Sequence, residues 1–202
     1  MKEYNINQTT LAIMALYRSN YRRACYLREI ARDVGIDVKA VQLQVKRLER
    51  ANILTSTQRG RITEYRLNLA NVVTRYFLVL AETFVTAQFL MKSFVIKKLM
   101  NELGDAIEGG LVLFGSYAKG QTRRESDIDI MVITKKRVNR DAFESIGTLM
   151  GRNLSPKTAS PHQFLRGLRD NDPLVREVVG NHIVLKGVDQ FCELLWRYYA
   201  RH

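Results

Sequence analysis

Leu111-Val112-Leu113-Phe114-Gly115-Ser116-Tyr117-Ala118-Lys119-Gly120, followed shortly by Ser126-Asp127-Ile128-Asp129-Ile130-Met131-Val132, decides how the C-terminal half of this chain is read. Four apolar residues bounded by glycine predict a short buried strand, and Ile128–Thr134 predicts a second. A strand that ends on Gly115-Ser116 lacks a side chain where backbone N–H groups can approach a phosphate, and Ser116 adds a hydroxyl donor. Asp127 and Asp129 are two apart at the start of a strand, so they share a face while Ile128 turns into the core. Two carboxylates beside a phosphate cradle suit Mg²⁺ (or Mn²⁺) bridging a nucleoside triphosphate. Lys119, Arg123 and Arg124 lie in the intervening loop.

Outward from this stretch the pattern stays α/β. Asp141 is expected to cap a helix with Phe143, Ile146, Leu149 and Met150 inward. Leu154–Ala159 predicts a strand with Pro156 at an edge or irregular position. Helices follow at about His162–Leu168 and Asp172–Val179, then a strand at Ile183–Leu185 and a helix at Asp189–Tyr199.

Gly115-Ser116, ten intervening residues, and Asp127-x-Asp129 together resemble the minimal nucleotidyltransferases of the DNA polymerase β superfamily over about residues 105–202. Tyr117-Ala118, Gly120 and Ser126 also stand where those proteins commonly have them. The resemblance implies that Gly115 and Ser116 hold the β/γ-phosphates, and that Asp127 and Asp129 are the catalytic, metal-binding pair. It also gives Lys119, Arg123 and Arg124 the role of neutralising triphosphate charge, the alternative being a solvated basic loop. It also implies a small helical toxin-like protein as partner. The sequence departs from the superfamily in one respect. Active members usually carry a third carboxylate on a later strand, and Asn153–Ser160 holds no acid. Either another residue substitutes, or the domain binds nucleotide without transferring it.

Before residue 111 the apolar pattern is helical. Residues 8–19 and Tyr26–Val34 predict helices, Gly35-Ile36-Asp37 forms a turn, and Asp37 is suited to N-cap a helix over Val38–Ala51. Runs at Ile53–Thr57 and Ile62–Leu67 flank Gln58-Arg59-Gly60-Arg61 as a hairpin with a basic tip. A small Ala31, a turn at Gly35 and an inward Val41 resemble the helix-turn-helix signature, and the hairpin resembles the wing of winged-helix regulators. With Val41, Val45 and Leu48 inward, the exposed face presents Lys39, Gln42, Lys46, Arg47 and Arg50, with Gln44 at its edge. Gln and Lys/Arg side chains there can reach base edges and phosphates of double-stranded DNA, and Arg59 and Arg61 can reach the backbone or minor groove. The alternative is a solvated charged face that contacts protein.

Charge agrees with an anionic partner. The chain of 202 residues has 32 Lys+Arg against 20 Asp+Glu, a net charge of +12. Residues 1–70 hold 13 basic and 6 acidic side chains, residues 71–202 hold 19 and 14, so the excess is concentrated in the first third. Residues 71–103 are the most apolar stretch, but Arg75, Glu82, Lys92, Lys97 and Lys98 interrupt it short of a membrane span. It is read as a helical connector, covered by a domain or by a second copy in a homodimer. The polar Met1–Asn5 start carries no apolar leader, Cys25 and Cys192 show no CxxC spacing, and His162, His182 and His202 make no zinc pattern. The expected setting is the cytoplasm.

The expectation is therefore an α+β protein with three parts: a winged helix-turn-helix over 1–70, a connector over 71–104, and a small mixed-sheet nucleotidyltransferase fold over 105–202. The expected activity is Mg²⁺-dependent nucleotidyl transfer from an NTP, ATP by preference, to a protein or small-molecule hydroxyl. The alternative is a transcriptional regulator whose C-terminal domain is a non-catalytic nucleotide sensor or dimerisation unit.

Overall fold

A computed structural model describes residues 6–103, 107–122 and 126–200. The chain divides into two compact units, 1–81 with 199–202 and 82–198. The stretch 71–104, expected as a connector, is thus shared between the units and is not a part of its own.

The N-terminal unit begins with α1 (Gln8–Ala15), whose N-cap Asn7 accepts a 2.9 Å hydrogen bond from the Thr10 amide. This helix is shorter than the expected 8–19, because Leu16 and Tyr17 bond back to Ile13 and Met14 in tight turns. A two-residue strand that the sequence did not suggest, β1 (Cys25–Tyr26), precedes α2 (Leu27–Val34), which ends at Gly35 with φ +70°. Asp37 then caps α3 (Val38–Arg50), accepting from the Lys39 and Ala40 amides. Val41, Val45 and Leu48 are fully buried. Gln44, expected at the exposed edge, is buried instead and accepts a bond from Thr10 Oγ1. It lies on the inward stripe, three residues beyond Val41.

The antiparallel hairpin of β2 (Leu54–Arg59) and β3 (Ile62–Leu67) turns at Gly60-Arg61, and β1 completes a three-stranded sheet against Glu64 and Tyr65. Tyr17 is fully buried, donates its hydroxyl to Tyr65 O, and has its phenol pKa pushed up by that burial. Three helices and a short sheet therefore enclose one apolar core.

The expected connector helix is two helices, α4 (Val72–Lys92) and α5 (Phe94–Leu103), bent by 112° at Ser93. Neither is by itself long and apolar enough to cross a membrane. Ile96, Leu99 and Leu103 of α5 are buried, which accounts for the apolar residues of α5 within one chain. Met91 and Phe94 at the bend stay 87% and 79% exposed.

In the C-terminal unit, β4 (Gly110–Phe114) lies antiparallel to β5 (Ile128–Ile133) and to β7 (Ile183–Lys186). β5 pairs in parallel with β6 (Leu154–Ala159), giving the order β6-β5-β4-β7. The parallel pair requires a crossover, supplied by α7 (Arg140–Met150). One sheet face, with Leu111, Leu113, Ile128, Ile130 and Val132, packs on α5 and on Phe143 of α7. Asn139, and not Asp141, is the N-cap of α7, accepting from the Asp141 amide. Leu149 is 64% exposed, because the buried stripe of this helix runs through Phe143 and Gly147.

α8 (Pro161–Arg169) opens with a Ser160–Gln163 capping box, and α9 (Pro173–Gly180) is capped by Asp172. Phe164 of α8 meets Phe191 of α10 (Val188–Ala200) with ring centroids 5.9 Å apart. His182 Nε2 lies 2.9 Å from Glu82 Oε1, and its Nδ1 lies 2.9 Å from Val179 O, all buried within this unit.

Candidate functional site

Strand register builds the site. Phe114, the last residue of β4, pairs directly with Asp129 of β5. The chain then turns at Gly115 into the single helical turn α6 (Gly115–Ala118), so Ser116 and the Asp127–Asp129 pair meet at one end of the sheet. Gly115 has φ +68°, and a Cβ there would run into Asp129 Oδ2 and lie 3.2 Å from Asp129 Cγ. Both the backbone conformation and the proximity of the carboxylate exclude a side chain. The Gly115 turn and the Asp129 carboxylate are therefore close neighbours.

Asp127 is exposed and Asp129 is half-buried. The Asp129 carboxyl pKa is raised, first by burial and then by the negative charges of Asp127 and Glu177, while Lys157 pulls it back. A carboxylate held next to other carboxylates gains most from a nearby cation. Among the described residues no group of three His, Cys, Asp or Glu side chains could hold a metal. Two carboxylates nevertheless suit Mg²⁺, which completes its shell with water and substrate phosphates.

The neighbouring strand carries no acid. Ser155 of β6 is the register partner of Asp129, and Lys157 is the partner of Met131 on the same face. The residue paired directly with Asp129 is thus a serine, with the Lys157 cation two residues further along the same face. The further acid felt at Asp129 comes from another element, Glu177 on α9. Sequence reasoning missed it, since Val175-Arg176-Glu177-Val178 reads as an ordinary amphipathic helix turn. Glu177 also accepts a 3.3 Å ion pair from Lys119, so the Lys119 ammonium is held beside the site. Arg123 and Arg124 lie outside the described residues.

The residues expected to contact DNA sit in the other unit. Lys39, Gln42, Lys46 and Arg50 are exposed along α3 and Arg47 is half-buried. Arg59 and Arg61 are exposed at the hairpin tip, although Arg59 pairs with Glu64 at 3.2 Å.

Residues 95–179 match the family model described as a nucleotidyltransferase domain, and the chain carries such a domain there. A Methanocaldococcus jannaschii protein named "putative protein adenylyltransferase" is 27% identical over 113 residues, covering 52% of this chain and 72% of that protein. A solved structure described as "Crystal structure of the toxin-antitoxin with AMP-PNP" shares 21% identity with a TM-score of 0.37. The match covers 52% of this chain and 82% of the other. Transferase chemistry of the nucleotidyl class is what the family match and the archaeal relative support.

Proposed function

We propose that the chain transfers a nucleotidyl group from an NTP, ATP by preference, to a hydroxyl of a protein, and that its N-terminal unit tethers the activity to double-stranded DNA. The observation that carries the enzymatic reading is the contact between the Gly115-Ser116 turn and the Asp129 carboxylate, set by the Phe114–Asp129 register. Ser116 and the amides of its turn donate to the β/γ-phosphates, and Lys119 exchanges Glu177 for phosphate oxygen. A divalent cation held by Asp127 and Asp129 would offset charge that develops on the phosphates. The acceptor oxygen bonds to the α-phosphorus as the bond to the β-phosphate oxygen breaks, and pyrophosphate leaves. Glu177 is the candidate to take the hydroxyl proton, since β6 offers Ser155 and Lys157 instead of an acid. ATP and a protein acceptor agree with the name of the archaeal relative. A small helical toxin-like protein is one candidate acceptor.

The DNA reading is supported by the order of α2, α3 and the β2–β3 hairpin in the N-terminal unit, in which α3 would serve as recognition helix and the hairpin as wing. A homodimer through the exposed Met91–Phe94 bend would present two such helices.

Incubation with α-labelled ATP, Mg²⁺ and a lysate of the source cells tests the proposal. Label joined covalently to a protein, lost in Asp129→Asn with its fold intact, supports it. The second reading, a regulator with a nucleotide-sensing domain, is favoured by a β6 that offers Ser155 and Lys157 and no acid. It requires Mg²⁺-dependent NTP binding without transfer, together with DNA affinity that changes with nucleotide.

A further inference from the structure

A cavity of about 770 Å³ opens at the end of β5 away from Asp127 and Asp129, bordered by the 134–140 loop, the end of β6 and the start of α8. Six residues of strand separate the two ends, a span of about 20 Å. Lys135, Lys136, Arg137 and Arg140 all line this cavity, and Asp141 is the one acid among its lining residues. Lys136 is engaged by Glu108, whereas Lys135, Arg137 and Arg140 make no ion pair among the described residues. The loop that carries them is anchored: the Thr134 amide donates to Ala159 O at 3.0 Å, and Thr134 Oγ1 accepts from the Lys136 amide at 3.1 Å.

The surroundings add to the positive potential. The N-terminal ends of α7 and α8 both border the cavity, and each contributes partial positive charge. Asn139 and Ser160 already cap those ends, so direct contacts to a ligand fall to the cationic side chains. Concave walls lined by one sign of charge concentrate the field more than a convex solvated face does. The crevice beyond the carboxyl ends of parallel strands is also where open α/β sheets commonly bind ligands.

We propose that this cavity is a second anion site that takes the phosphate groups of a ligand carrying several of them, independent of the Asp127–Asp129 site. Its lining contains no aromatic ring on which a base could stack, so phosphate and not base is the recognised group. Two sources share that chemistry: a nucleic-acid strand and a free polyphosphate.

Titration of the full chain in EDTA, where a Mg²⁺-dependent site is silent, tests this with inorganic tripolyphosphate and a fluorescent 12-nucleotide single strand as probes. A Lys46→Ala/Arg47→Ala background reduces strand binding by the N-terminal unit. The expected result is binding that weakens about ten-fold for each of Arg137→Ala and Arg140→Ala. It should be retained in Arg137→Lys and unaffected by Asp129→Asn, so it stands apart from the nucleotidyl-transfer reading. Strand binding that tripolyphosphate displaces identifies nucleic acid as the source, and tripolyphosphate binding alone identifies a free anion. Absence of binding by both probes at low salt, or binding indifferent to Arg137→Ala and Arg140→Ala, overturns the proposal.

Discussion

Gly115→Ala tests whether the Gly-Ser turn and Asp129 act as one site. The substitution forces an L side chain to φ +68°, which costs about 1–2 kcal/mol for left-handed backbone. At about 2–4 °C per kcal/mol for a chain of this size, that alone lowers Tm by about 2–8 °C. The new Cβ also meets Asp129 Oδ2 inside contact distance, with Asp129 Cβ at 3.3 Å, so the carboxylate must swing away from its place. Gly120→Ala is the matched control: φ is +66°, but nothing lies within 4 Å of its Cβ position. Both variants should therefore melt earlier, with Gly115→Ala lower. Only Gly115→Ala should lose Mg²⁺-dependent ATP-analogue affinity, by about 10–100-fold, as for groups that orient metal ligands. Thermal denaturation followed by fluorescence, with analogue titration in Mg²⁺ and in EDTA, measures both effects. Equal melting and equal Mg²⁺-dependent affinity in the two variants would refute the claim that the turn and carboxylate are coupled.

Asp129→Asn should abolish the Mg²⁺ dependence of nucleotide binding while raising Tm at neutral pH. A carboxyl whose folded pKa lies above its unfolded value favours folding below the ordinary carboxylate pKa and loses that advantage as pH rises through the raised value. The gain on substitution should accordingly vanish in acid, and a melting series from pH 3 to 7 checks the sign. For the same reason, Mg²⁺ affinity of the unaltered chain should begin to fall at a higher pH than for an unperturbed aspartate, and earlier still in Lys157→Ala, as titration would read. Arg47→Ala should weaken duplex DNA binding by about ten-fold with a shallower salt dependence, whereas Lys97→Ala in the other unit should not; equal effects in a gel shift would defeat the DNA assignment. Light scattering at micromolar concentration should report a dimer that Phe94→Glu converts to monomer, and a monomeric unaltered chain would remove the dimer proposal.

Several elements were legible in the residues themselves. The Gly-Ser and Asp-x-Asp spacing located the candidate site, because strand alternation obliges Asp127 and Asp129 to share a face whatever surrounds them. The turn at Gly35, the cap at Asp37 and the inward stripe of α3 were likewise local consequences of short-range chemistry. Asn139 at the start of α7 was missed because Asp141, two residues on, is an equally good capping type, and only backbone geometry separates them.

Other features were decided by partners distant in sequence. The apolar stretch 71–103 read as one helix, yet it bends at Ser93 so that Ile96, Leu99 and Leu103 can cover a sheet face built from residues after 107. Packing outweighs local helical preference when it buries that much apolar surface. Glu177 reaches the electrostatic neighbourhood of Asp129 only because α9 lies against β4, and Lys157 faces it only through the parallel β5–β6 register. The basic cavity has the same origin, since Lys135–Arg140 is a hydrophilic loop in sequence and a concave site only where β6 and α8 close around it. Short-range sterics and hydrogen bonding fixed the motifs, while long-range packing set the charges that surround them.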